Sequence, residues 1–492
     1  MNKKASPERV WREYEKGVAY NNSLNLYEQV KKNENFYIGR QWEGLCAPDL
    51  AKPVINVLRR VVSYFISMIV SDDVGATLTP FDQYNEKGAK ILERELEKIL
   101  EQSDIKSLAR SALRDSAVDG DGAIYFYFDP KGKNPDGSTG RVRGEVIAAY
   151  DVHYANPYLN DVQAQPYIIV SSRRQLGEVK HMAHTGVRER IRPDHDSNRY
   201  NIGKKEDDMV TVLTKFWREG ELIYCSKSTR DVLLQPPICT GLSRYPVAVM
   251  PWESVKNSCR GVSALGAMIP NQIAINQLFA MAIHHVKSQA FPKIIFDATK
   301  IKAWSNKVGQ AIGTQGNPND AVAGSFKAQD MSDQVLTLID KLTQSTLEFM
   351  GASDAALGNV RPDNTSAIIA TQKASSMPLE IQRLNFYRFT EDCLRIICDI
   401  VTTSYGFRRV GDEYFDFSRM SESSVELKVD VGAATYWSEL MQMQTLDNLF
   451  SQGIITDAVT YLEQVPDRYV RGKAKLIESL KEKITASPPD KV

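Results

Sequence analysis

The run from Cys259 to Gly406 constrains the fold more than any other part of this 492-residue chain. An amphipathic helix leads into a short β-like insert, a second amphipathic helix returns, and a tight polar loop opens into one long helix. Two such helices have little reason to flank an insert unless they pack side by side and hold it at one end. That layout suits a chain that builds a shaft or ring rather than one that encloses a pocket.

In the first of these helices Pro270 sits at the N-terminus, and Ile275, Leu278, Phe279, Ala282 and Val286 form one apolar face. Phe291–Phe296 reads as a short strand and Gly309–Gly324 as loop. The returning helix begins near Met331-Ser332-Asp333, with Val335, Leu338, Ile339, Leu342, Thr346 and Phe349 at three-and-four spacing. Facing apolar stripes on paired helices bury each other. Gly351–Thr365 is a polar loop, and Ser366–Ser404 a helix interrupted by Pro378. An interior proline costs roughly 3 kcal/mol, which predicts a kink near Ser375–Pro378 or two abutting helices.

Upstream, Ser6-Pro7-Glu8 starts a helix through about Lys32, and Asn35–Trp42 ends in a loop. Further helices are expected over Pro53–Ser71, Glu86–Glu101 and Asp104–Val118. The pattern then switches to period two. Strands are expected at Ala123–Asp129, Val142–Tyr150, Tyr167–Val170, Met209–Trp217, Leu222–Ser226 and Val232–Leu234, with Arg218-Glu219-Gly220 as a hairpin turn. His184–Lys205 reads as an exposed loop. Downstream, Phe407–Phe417 and Val425–Val431 read as strands, Trp437–Ser451 and Asp457–Ile484 as helices, the latter broken at Pro466. The fold class is α+β, mainly helical.

Lys+Arg and Asp+Glu number 61 each, so the chain lacks the basic excess of a tight nucleic-acid binder. Any contact with DNA is then local or transient. The six cysteines contain no C-x-x-C pair and read as free buried thiols. The start is polar through Ser6-Pro7-Glu8-Arg9, with no cleavable signal. The longest apolar stretch, Val54–Val70, is broken by Arg59 and Arg60 and falls short of a bilayer span. A soluble, intracellular protein without membrane partners is expected.

No catalytic or metal motif emerges. Asp119-Gly120-Asp121-Gly122 opens like a calcium loop, but Ala123 and Pro130 fall where ligands belong, so a helix-to-strand turn is the better reading. His181, His184 and His195 lack supporting Cys or carboxylate ligands. Gly261–Gly266 misses a nucleophile elbow by one residue, and no phosphate-binding loop exists. No enzyme activity and no cofactor are expected.

Several segments in order resemble the portal protein of tailed double-stranded DNA bacteriophages, the head-to-tail connector family. They are Tyr37-Ile38-Gly39-Arg40-Gln41-Trp42, Asp151–Pro157, Gly261-Val262-Ser263 leading into Asn271-Gln272 and Ile275-Asn276, and Gly351–Gly358 followed by Thr365-Ser366. The resemblance covers most of the chain. It implies a wing over residues 1–260, stem helices at 261–290 and 331–350, and a clip at 291–330. A tunnel loop would follow at 351–365, a long wing helix at 366–404, wing strands at 405–435, and a helical crown and tail at 436–492. Within the loop, Asp354, Asn359, Arg361, Asp363 and Asn364 would face DNA. Along the stem, the resemblance makes the polar Asn271, Gln272, Asn276 and Gln277 the better candidates for contacts with a neighbouring subunit or a channel.

The resemblance further implies a homo-oligomeric ring of twelve subunits at one capsid vertex of the virion, made in the bacterial host cytoplasm. Its partners would be double-stranded DNA held non-specifically, the terminase large subunit, head-completion and tail adaptor proteins, and the major capsid and scaffolding proteins. Another oligomeric head-tail adaptor and a nucleic-acid-processing enzyme are the alternative readings.

Overall fold

The structure is a computed structural model. It describes residues 5–46, 48, 50–70, 74–80, 86–134, 139–195, 208–290, 293–305, 307, 311–320, 323–326, 332–352, 377–410, 413–420, 425–431, 443, 445–455, 457–465, 473, 476–477 and 479. Helix (50%) and strand (23%) are both substantial, and every registered strand pair is antiparallel, which makes the fold α+β. The chain divides into two compact units, Met1–Ile69 with Leu78–Leu427 and Val70–Thr77 with Lys428–Val492.

The first unit opens with α1 (Pro7–Ser23) and α2 (Leu26–Ile38), where one helix through Lys32 was expected. The break falls at Asn25, whose φ of 53° no helix interior accepts, and α2 runs past the expected stop to Gly39, which is left-handed. α3 (Val57–Ile69) starts four residues after Pro53. Val57, Leu58, Val61, Val62, Phe65 and Ile69 are all buried along one face, while Arg59, Arg60, Ser63 and Ser67 stay exposed on the other.

β1 (Val74–Pro80) is followed by α4 (Glu86–Gln102) and α5 (Ile105–Asp119). α5 gives way at Gly120 to β2 (Asp121–Lys133), so the Asp119–Gly122 segment is the expected helix-to-strand turn. α5 packs along β2, with Ala112 against Gly122. A side chain at Gly122 would place Cβ 2.0 Å from the Ala112 carbonyl oxygen, so the close approach requires glycine there.

β3 (Thr139–Ala148) pairs with β2, and β9 (Val247–Pro251) pairs on the other side of it. A second sheet runs in the order β4 (Val152–Tyr154), β5 (Tyr167–Gln175), β6 (Met209–Glu219), β7 (Leu222–Ser228), β8 (Leu233–Cys239). The β6–β7 hairpin closes at Glu219 and Leu222 with Gly220 at φ 65°, one residue later than expected.

The reading of His184–Lys205 as exposed loop needs correction in its described part. α6 (Leu176–Met182) leads to a 3₁₀ turn at Thr185–Arg190, and Ile191 is buried with Val179, Ala183, Val210 and Val232. Asp194 pairs with Arg173 and accepts the Thr211 amide. A mostly polar sequence thus conceals a small core under the edge of the five-stranded sheet.

A short pairing of β10 (Glu253–Ser254) with β11 (Gly261–Val262) precedes α7 (Ile269–Ala290), which begins eight residues later than the expected stem boundary. β12 (Lys293–Phe296) pairs with β13 (Ala323–Phe326), part of which was read as loop, and α8 (Asp333–Phe349) returns. The Ser332 hydroxyl accepts the Gln334 amide and caps α8 where expected. A 3₁₀ turn at Met377–Leu379 precedes α9 (Glu380–Ser404). Pro378 therefore sits in the opening turn of the described helix. The part of the long helix drawn over 366–376 lies outside the described residues.

α9 packs its buried Phe386, Phe389, Leu394, Ile397 and Val401 onto β9. Its buried Asp399 accepts the amides of Ser243 and Arg244 at 2.8 and 3.0 Å. The hairpin β14 (Phe407–Val410) and β15 (Glu413–Asp416) follows, then β16 (Val425–Val431), which pairs with β1. Cys225, Cys259, Cys393 and Cys398 are buried free thiols as expected, but Cys46 and Cys239 are exposed.

In the second unit, residues 445–451 are helical. α10 (Ala458–Gln464) is capped by the Asp457 carboxylate and ends before Pro466. Phe450 packs on Tyr461. Among the described residues no helix is long and apolar enough to cross a membrane.

Candidate functional site

α7 and α8 form an antiparallel pair. Asn271, near the start of α7, donates through Nδ2 to the Thr346 hydroxyl near the end of α8, at 3.2 Å. At 1.5 Å per residue the 22 residues of α7 span about 33 Å. The β12–β13 hairpin sits at the far end of the pair, extended by a bridge between Ile301 and Thr314 and a stacked Phe296–Trp304 pair. For the two helices and the insert between them this is the arrangement that the sequence predicts, while the loop expected at 351–365 lies almost wholly outside the described residues.

The polar residues of α7 do not behave as a set. Gln272 is 0% exposed and Asn276 3% exposed, which corrects their assignment to a neighbour or a channel. Gln272 accepts the Val57 amide at 3.0 Å and donates to Ile55 O at 2.6 Å and to Asn276 Oδ1 at 3.1 Å. Asn276 accepts the Ile55 amide and donates to Gln41 Oε1. Both side chains face the chain segment that enters α3, whose amides have no helical partner. They are anchors fastening α7 to the N-terminal helices. Asn271 is committed to Thr346, and Gln277 is exposed.

The apolar faces also need correction. Ile275, Ala282, Ile339 and Leu347 are buried as the two helices meet each other and α3. Val286, Leu338 and Phe349, expected in the same mutual contact, are largely exposed, Phe349 at 80%, and so are Met281 and Leu336. Leu338 and Phe349 fall about 20° apart around α8 and share one exposed face, while Leu336 lies nearly opposite Leu338. Asp354, Asn359, Arg361, Asp363 and Asn364 lie outside the described residues.

The base of the pair is tied down by a junction for which the sequence offers little sign. Gly261 N donates to Asp121 Oδ1 at 2.8 Å, Ala264 N to Ala117 O at 3.0 Å, and Trp252 N to Gly120 O at 2.8 Å. Gly120 has φ 108°, and a Cβ there would meet the Gly261 carbonyl oxygen at 2.8 Å, so the two backbones touch. Asn33 of α2 donates to Val118 O and to the Ser263 hydroxyl. Ser263 in turn accepts the Leu265 and Gly266 amides, closing the turn into α7.

Asp121 lies against Arg260, whose guanidinium holds Ala149 O, Val152 O and Asn21 Oδ1. Burial pushes the Asp121 carboxyl up to about 6, opposed by the Arg260 charge and the Gly261 amide. Burial likewise raises Asp119, reinforced by Asp115 and Glu34. Asp121 serves the Gly261 amide and Arg260, Asp119 Oδ1 is buried without a partner among the described residues, and no group of three or more His, Cys, Asp or Glu among them is arranged to hold a metal.

The chemistry of the arrangement is that of a rigid bracket: a helix pair clamped at the base by buried polar bonds, with a hairpin at its tip and an apolar flank. No protein-family model matches the chain, and no curated protein matches it in sequence.

Proposed function

We propose that this chain is the subunit of a portal ring of a tailed bacteriophage, the channel for DNA packaging and ejection and the docking point for terminase and tail. In this reading α7 and α8 are the stem, the β12–β13 hairpin belongs to the clip, the helices and sheets before Gly261 form the wing, and the chain beyond residue 436 is the crown.

The observation that carries the reading is the exposed apolar flank of the helix pair. Leu338 and Phe349 (80% exposed) share the outer face of α8, and Met281 and Val286 are exposed on α7, on helices whose other sides are fastened into the subunit. A second exposed stripe, Met377, Ile381 and Leu384, runs at helical spacing along the start of α9. A single chain gains nothing by presenting such surfaces to water, whereas each copy in a closed ring covers one flank of its neighbour. The balanced charge of the chain fits a conduit, because every fixed phosphate contact would slow the sliding of DNA.

Electron microscopy of the purified protein, with mass measured on the same sample, tests the proposal. Rings with a central hole about as wide as a DNA duplex are expected, either alone or on coexpression with capsid and scaffolding proteins. Absence of rings under both conditions overturns the portal reading and leaves an adaptor. Deleting Asp354–Asn364 should leave rings intact and impair DNA packaging or retention.

A further inference from the structure

A cavity of about 200 Å³ opens between α1 and the start of the five-stranded sheet, away from the helix pair. Lys16, Tyr20 and Asn21 line it from α1, Tyr154 from β4 and Tyr167 from β5, with Arg260 also in its wall. Its volume equals the liquid share of roughly six or seven waters, room for a molecule of about that many heavy atoms or slightly more.

Two of its lining side chains carry buried polar atoms that no described residue satisfies. Arg260 is 4% exposed; its two terminal nitrogens are bonded, but Nε has no partner. The Tyr154 hydroxyl, on a side chain nine-tenths buried and lying under the Arg260 guanidinium, has none either. Leaving either group unpaired in a dry site costs roughly 1–3 kcal/mol each.

Both orphans can donate. Lys16, exposed where α1 borders the cavity, adds a third donor and a positive charge. The negative groups nearby are already engaged: Asp121 with Gly261 N and Arg260, and Glu13 with Lys215 and Arg9. The walls between the donors are rings, those of Tyr20, Tyr154, Tyr167 and His153. We infer that this cavity is a binding site for a small carboxylate with a flat apolar body, its oxygens received by Arg260 Nε and the Tyr154 hydroxyl and its body held between the tyrosines.

The test is titration calorimetry of the full chain with sodium benzoate, sodium acetate and inorganic phosphate, each at constant ionic strength. Benzoate should bind saturably at one site per chain with a millimolar Kd, acetate more weakly and phosphate weakest. Tyr154→Phe removes one hydrogen bond and should weaken benzoate about fivefold to tenfold. It deletes only an unpartnered hydroxyl, so the fold should survive. Lys16→Glu reverses the charge at an exposed position and should weaken binding at least as much, which keeps the test alive should Tyr154→Phe fold poorly. Unchanged affinity in both variants, no saturable heat with benzoate, or phosphate binding tightest would each overturn the inference.

Discussion

Replacing Gln272 by alanine tests whether α7 is fastened to the N-terminal helices as the structure has it. The side chain is fully buried and holds Val57 N, Ile55 O and Asn276 together. Truncation leaves Val57 N only the strained bond to Ile55 O, two residues back. One buried, poorly satisfied backbone group costs about 1–3 kcal/mol, and the lost bond to Asn276 about 1 more. The expected loss is therefore about 2–4 kcal/mol, a large share of the roughly 5–15 kcal/mol that holds a native domain together. Gln277→Ala, five residues along and exposed, should stay within about 0.5 kcal/mol of the parent. Urea unfolding of both variants supplies the comparison. Exchange of the Val57 amide supplies a local readout that survives if unfolding is not two-state. Equal midpoints for the two variants, with Val57 still protected in Gln272→Ala, would refute the anchoring argument.

Three further outcomes are expected. The Asp121 carboxyl is raised from 3.8 to about 6 in the folded chain, so the proton binds the folded state more tightly and the group's contribution to stability is lost as pH rises through 6. Moving from pH 7.5 to 4 should recover about 2 kcal/mol from this residue, measured as the difference in unfolding free energy between the parent and Asp121→Asn; parallel pH profiles would contradict it. Phe349→Asp should reduce the assembled fraction in analytical ultracentrifugation without altering the far-ultraviolet dichroism, and unchanged assembly would argue against the flank as an interface. Gly122→Ala should cost about 3–5 kcal/mol by driving a methyl group into the Ala112 carbonyl, while Gly186→Ala, with open space around it, should cost almost nothing in the same melt.

The helix, hairpin and returning helix over 269–349 were legible because they rest on local signals: Ser332 as a cap and three-and-four spacing in both helices. What each face touches was harder to read. Gln272 and Asn276 stand four residues apart on the same side as Ile275, so their spacing already placed them on a buried face. Side-chain polarity alone argued for the opposite. Val286, Leu338 and Phe349 misled in the other direction, because amphipathic patterning says that a residue will be covered and not by which chain. The Asp121–Gly261 and Asn33–Ser263 bonds join residues 140 and 230 positions apart, and no local pattern announces such pairings. The small core around Ile191 escaped notice because its few aliphatic residues are scattered through charged sequence.

The bond from Asn276 to Gln41 spans 235 residues, and the one from Arg260 to Asn21 spans 239. During synthesis at about 5–20 residues per second, the N-terminal helices wait on the order of ten to fifty seconds before the side chains that fasten them leave the ribosome. Through that interval α3 has α2 and α5 beside it but lacks the cover of α7, α8 and α9, and Phe65 lacks Trp252. Nascent α3 is thus the segment that a cellular holdase would have to shelter, and the yield of soluble chain should depend on translation speed more than on the stability of the finished fold.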